Sequence, residues 1–148
     1  RQTQFAEFEL RMHEMMESGE ALTDETLTAL YTEIVHRYYG HDKGVCVIDD
    51  LYTFEWAYIP HFYYNFYVYQ YSTSFTASTA LAERVLNEEK GATEKYLEFL
   101  SAGGSDYPIN LLKNAGVDMT TSDPFDKTMV EMNRVMGEIE KILKNKGL

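Results

Sequence analysis

One imidazole and five phenols, His61, Tyr63, Tyr64, Tyr67, Tyr69 and Tyr71, fall within the stretch Ile59 to Ser74. A tyrosine carries a large apolar ring and a hydroxyl that must find a hydrogen bond when it loses water, so such a cluster is either a wet wall or an expensive core. Phenylalanine would fill a core with no polar obligation, yet this segment repeatedly uses tyrosine. Phenols beside an imidazole are the groups from which a site is built to donate hydrogen bonds to an oxygen gaining negative charge. Wound as a helix, the segment presents His61, Tyr64, Asn65, Tyr69 and Ser72 on one face. Phe62, Phe66, Tyr67 and Phe75 then fall on the opposite, packing side.

The elements that must position this stripe are helical. Phe5, Phe8, Met12, Met15 and Met16 follow the helical period until Gly19, which predicts a first helix near 2 to 18. Thr23 caps a second, with Asp24 and Glu25 in its first turn, Leu27, Leu30, Tyr31, Ile34, Val35 and Tyr38 on one face, and Gly40 at its end. Residues 41 to 51 read as a loop or a short extended piece, and Trp56 sits in a short helical approach to Pro60. The pattern predicts helix from about 61 to 88, with a bend between Ser72 and Thr79, then helices over 92 to 101 and 107 to 114. Asp123 caps a last helix with Pro124 at its first position, along which Phe125, Met129, Met132, Met136, Ile139 and Leu143 step by three and four. The expected fold class is all-α, a bundle of about six helices forming one unit over residues 1 to 148.

A net charge of -11 and no basic stripe argue against nucleic acid, whose phosphates need clustered Lys and Arg. No window has the uninterrupted apolar length of a membrane span, so a soluble protein with no membrane partner is expected. The lone Cys46 cannot form an intramolecular disulfide, which favours a reducing compartment, the cytoplasm, and an inert thiol. The chain opens at Arg1 without an initiator methionine or a signal peptide, as a piece cut from something longer would.

Two spacings imitate metal motifs. His13-Glu14-Met15-Met16-Glu17 is a zinc-protease helix with its second His replaced by Glu. Its methionines belong to the apolar face, which leaves His13, Glu14 and Glu17 as a solvated helix surface. Glu33-Ile34-Val35-His36 has the Glu-x-x-His spacing of di-iron bundles, but only one copy occurs where two are needed. The Gly103-Gly104-Ser105-Asp106 turn lacks the lysine and strand of a phosphate loop, and reads as a helix stop followed by a cap.

Five blocks in order give the chain a wider likeness. They are Arg1 to Glu9, Gly19 to Thr23, Glu55-Trp56-Ala57, Ile59 to Tyr71 and Ala102 to Pro108, with Ala115 to Met119 continuing them. Together they closely resemble the C-terminal part of the oligoendopeptidase F family, zinc metallopeptidases related to thimet oligopeptidase. The resemblance implies a mostly helical, thermolysin-related fold whose zinc is held by an H-E-x-x-H helix and a Glu on the next helix, all upstream of the segment matching Arg1. By the same resemblance this part supplies the substrate-binding wall: His61 as the histidine, Tyr69 as the first choice of oxyanion-stabilising phenol and Tyr64 as the second. Zinc is then the cofactor of the complete enzyme, with none bound by this piece alone. Its partners would be short peptide substrates and the missing N-terminal part of the same protein. The reading from another class is a non-enzymatic helical interaction module whose Phe, Met and Tyr surfaces meet a protein partner.

Overall fold

The structure, a computed structural model, describes residues 1 to 147, and all regular elements among them are helical. The contacts group into two compact units, Arg1–Ser72 and Thr73–Leu148, each with its own cluster of buried residues.

In the first unit, α1 (Gln2–Glu17) and α2 (Asp24–Tyr39) form where the periodicity predicts them. Thr23 and Thr26 close a reciprocal capping box, the Thr26 amide donating to Thr23 Oγ1 at 3.3 Å and the Thr23 amide to Thr26 Oγ1 at 2.9 Å. Gly40 ends α2 in the left-handed conformation, φ 66°, which a side chain would resist. Phe5 and Phe8 of α1 and Leu30, Tyr31, Ile34 and Val35 of α2 are buried together. A 3-10 segment, Asp50–Tyr58, lies against α2, and Trp56 Nε1 donates to Thr28 Oγ1 at 3.1 Å. Phe62 packs on Phe5 and Phe8, with ring centroids 5.6 and 5.1 Å apart, so it fills the packing role its position predicts.

The second unit holds most of α3 (Tyr69–Leu86), then α4 (Ala92–Ala102), α5 (Pro108–Asn114) and α6 (Asp123–Asn145). Ala77, Ala80, Leu81, Ala115 and Val117 are its buried cluster, with Phe99, Leu112 and Met119 packed on it. Gly116, at φ 92°, lies beneath the Arg84 guanidinium, which donates to the Ala115 carbonyl at 3.0 Å, and a Cβ there would strike that guanidinium. Ser122, rather than Asp123, precedes the first turn of α6, and its side chain does not cap the helix.

The largest departure from the sequence reading lies between 61 and 68. Pro60–Tyr63 is a single 3-10 turn, and α3 begins only at Tyr69. Asn65 and Phe66 both take left-handed conformations, φ 47° and 61°, and two such residues in succession cannot continue a right-handed helix. The predicted common helical face of His61, Tyr64, Asn65, Tyr69 and Ser72 therefore does not form.

Candidate functional site

The chain reversal at Asn65 and Phe66 rests on a buried carboxylate. Glu9 of α1 is 1 % exposed and accepts the Phe66 amide at 2.8 Å, so a backbone group freed by the broken helix is satisfied. The Phe66 ring packs on His13, whose Nδ1 lies 2.7 Å from the Glu9 carbonyl. His13 is thus half-buried packing beside the reversal rather than part of a solvated helix face. Val68 is fully buried, and Thr3 Oγ1 and Ser72 Oγ lie 2.9 Å apart, tying the first turn of α3 to α1.

Held at both ends in this way, the segment gathers three phenol rings around His61. Tyr67 stacks on the imidazole, centroids 5.9 Å apart and planes 20° apart. Tyr71 meets it edge-on at 5.5 Å, with 3.2 Å between His61 Nε2 and the Tyr71 hydroxyl. Tyr64 is edge-on at 6.4 Å. Tyr67 also meets both Tyr64 and Tyr71, at 6.2 and 5.7 Å. Tyr69 is not among the rings on His61. On a helix that starts at residue 69, positions 69 and 71 point about 200° apart, so turning one phenol toward the imidazole turns the other away.

The cluster is a surface and not a core. Tyr64, Tyr67, Tyr69 and Tyr71 are 60, 42, 49 and 41 % exposed, and Tyr63 more so. The Tyr67 hydroxyl, hydrogen-bonded beside it, pushes the Tyr71 phenol up from its ordinary pKa, with partial desolvation adding to the effect. Tyr71 consequently stays a neutral O–H donor. Of the residues singled out from the sequence, the structure brings His61 and Tyr64 together, and it adds Tyr67, which the helical pattern assigns to the packing side, and Tyr71, which that pattern does not single out. The asparagine at 65 was the available signal, since asparagine is enriched in left-handed conformations; nothing in the phenylalanine after it gives a second one.

A second group of chemistry-bearing side chains lies in the same unit. His36 at the end of α2, and His41 and Asp42 in the 3-10 turn His41–Lys43, bring ligand-type atoms within 4.8 Å of one another. The two imidazoles stack with centroids 3.9 Å apart and planes 10° apart, so their lone pairs lie in nearly parallel planes and do not meet at one point. His41 Nδ1 moreover accepts the Ile48 amide at 2.9 Å, which commits the one lone pair of the neutral ring. This donor set does not fit a tetrahedral zinc ion. Glu33, the other half of the Glu-x-x-His spacing, faces Arg11 at 3.5 Å.

The Gly103 to Asp106 turn is a helix stop, with Gly103 at the end of α4, but not the predicted cap: Tyr107 precedes the first turn of α5 and no side chain caps that helix. Asp106 accepts the Tyr107 amide at 2.7 Å and the Asn110 side-chain amide at 3.0 Å at the start of α5. Cys46 is exposed and unpaired. Among the described residues no helix is long and apolar enough to cross a membrane.

Known proteins give the wall a setting. The chain is 46% identical over 143 residues to oligopeptidase PepF of Bacillus subtilis (strain 168), and 47% identical over 144 residues to the plasmid oligoendopeptidase F of Lactococcus lactis subsp. cremoris. Both matches cover 97% of this chain but only 21% and 23% of those proteins, so the chain spans about a fifth of the length of these relatives. The crystal structure of oligoendopeptidase-F from Enterococcus faecium superposes with a TM-score of 0.90 at 46% identity, over 98% of this chain and 27% of that one. A structure of a putative peptidase from Chlamydophila abortus follows at 0.85 and 42%, over 95% of this chain and 23% of that one. The family model described as Peptidase family M3 matches residues 1–131, and on these grounds the chain belongs to that family.

Proposed function

We propose that the chain works as the C-terminal, substrate-binding part of a zinc endopeptidase acting on short peptides, with both of its units inside one catalytic domain. The observation that carries this is the His61 to Tyr71 contact on an exposed aromatic wall, in a chain of Peptidase family M3. His61, Tyr64 and Tyr69 remain the residues proposed from the sequence. The geometry favours Tyr71 over Tyr69 as the oxyanion donor, because Tyr71 is the phenol within hydrogen-bond reach of His61.

With the proton of His61 on Nε2, that N–H donates to the Tyr71 oxygen, and the Tyr71 O–H, which at rest is shared with the Tyr67 hydroxyl, would turn outward to a substrate oxygen. A peptide carbonyl placed on this wall would gain a donor as its oxygen becomes negative, and the stacked rings would hold that donor in place. Tyr64, the most exposed of the phenols at the imidazole, is placed to contact the peptide itself. Zinc, bound by residues of the upstream part, would supply Lewis-acid polarisation and a water nucleophile. The described residues of this chain hold no set that fits the ion.

The partner of this part is accordingly the upstream remainder of the same protein. The acidic surface and the free Cys46 fit a cytoplasmic enzyme with no nucleic-acid partner. A quenched-fluorescence peptide assay tests the proposal: the complete polypeptide should show chelator-sensitive turnover, whereas the 148-residue chain should be silent and hold no stoichiometric zinc. A complete polypeptide that cleaves no peptide removes the proposal.

A further inference from the structure

The last helix carries a surface that the structure leaves open. Along α6, Phe125, Met129, Met132, Met136, Ile139 and Leu143 are spaced alternately by four and three, and each is between 41 and 52 % exposed. At about 100° per residue these six side chains fall within about 80° of arc, which is a heptad seam with Met129, Met136 and Leu143 at one core position and Phe125, Met132 and Ile139 at the other. Val135 and Ile142, also exposed, extend the apolar arc on one side to about 140°. On that same side Pro124 and Thr128 are buried, so the open face continues from surface that is already packed. Asp126, Asn133, Glu140 and, in the last turn, Lys144 border the other side.

The width and the charges select the occupant. A seam built for a second copy of the helix is narrow, with charged residues of both signs on its flanks. Here one flank is apolar and the other carries Asp126 and Glu140, with Lys144 the one cation beside them near the helix end. A parallel second copy would therefore set these acids against their own copies or against Val135 and Ile142, and an antiparallel one would offer only Lys144 in answer. Two chains of net charge -11 would also repel one another. A wide face of this kind is instead that of a helix seated inside a larger bundle. Polypeptide to build such a bundle exists in the relatives: the Enterococcus faecium oligoendopeptidase-F shares this fold over 98% of the present chain, and the matched part is only 27% of that longer chain.

We infer that the open face of α6 is the docking surface for an apolar helical segment in the upstream part of the same polypeptide, with Lys or Arg on the edge that meets Asp126 and Glu140. This rests on the chain acting as part of a longer polypeptide, and not on that polypeptide being a peptidase.

Methionine oxidation by dilute hydrogen peroxide, read by mass spectrometry, tests it without any activity readout. Met129, Met132 and Met136 should oxidise several-fold more slowly in the complete polypeptide than in the 148-residue chain. The double variant Met132→Glu/Met136→Glu should lower the thermal midpoint of the complete polypeptide while leaving the helix content of the 148-residue chain as it was. Equal oxidation rates in the two proteins would overturn the inference. So would protection that appears in the 148-residue chain as it forms a discrete dimer, since the occupant would then be a second copy. A complete polypeptide that protects the stripe but cleaves no peptide sustains this inference and removes only the peptidase proposal.

Discussion

Tyr31 and Tyr71 are both tyrosines pushed above their ordinary pKa, yet the causes separate a structural phenol from one available for chemistry. Tyr31 is fully buried, and burial with a 2.5 Å hydrogen bond to Glu55 Oε2 raises it strongly, while Gln4 Nε2 donates to its oxygen at 3.3 Å and Arg1 pairs with Glu55. All of its hydrogen-bonding capacity is used inside the fold. Tyr31→Phe leaves a buried Gln4 donor and a Glu55 oxygen without their partner, and should cost about 1–3 kcal/mol of stability, read by denaturant unfolding. The sign with pH follows from the raised value: the native state holds the phenol neutral, so its contribution is full below the unfolded tyrosine value near 10 and is lost as pH rises beyond it. Tyr31→Phe should therefore show a shallower alkaline loss of stability than the parent. Tyr71, by contrast, is raised chiefly by another exposed phenol and keeps its hydroxyl at the surface.

Among the elements, the short reversal at 64 to 68 decides what the aromatic segment can do, and its anchor is Glu9. Glu9→Ala removes the acceptor of the Phe66 amide and should cost about 1–3 kcal/mol, with hydrogen exchange rising first at residues 65 to 68. The long helices were legible in the sequence because periodicity and end signals agreed: Thr23 and Gly40 bound α2, and Phe5 and Phe8 line α1 at the core. The wall was legible in its composition and not in its geometry. His61 and Tyr64 belong to it, but an apolar-rich run such as 61 to 71 satisfies the helical period in several registers, and contacts with distant residues, the buried Glu9 to Phe66 bond 57 residues apart among them, go with the broken one. That register sets Tyr71, and not Tyr69, against His61. In the second unit, the Asp118 carboxyl is held at about 2 by the hydrogen bond it accepts from Lys113 and by those from the Thr120 hydroxyl and amide. Its value is depressed, so its contribution is present above the unfolded value of 3.8 and is lost as pH falls toward 2. Asp118→Asn should flatten the acid limb of an unfolding profile across that window.

For the molecule as a whole, the proposals made above give the open face of α6 to the rest of the polypeptide and the exposed aromatic wall to substrate. The 148-residue chain should bind a hydrophobic dye such as ANS, and covering α6 in the complete polypeptide should reduce that signal per chain. A chain that binds no dye and unfolds as a sharp monomeric transition would show that these faces are covered within the chain itself. The central claim, that the His61 wall receives the developing oxyanion, is tested most directly by steady-state kinetics of the complete polypeptide with Tyr71→Phe and Tyr69→Phe. Each change keeps the ring and removes one hydroxyl, and a donor used only in the transition state moves kcat and not KM. Tyr71→Phe should lower kcat by roughly 10- to 1000-fold with KM and zinc content nearly unchanged, while Tyr69→Phe has little effect. Equal and small losses at both positions would contradict the account, and would make the aromatic wall packing alone.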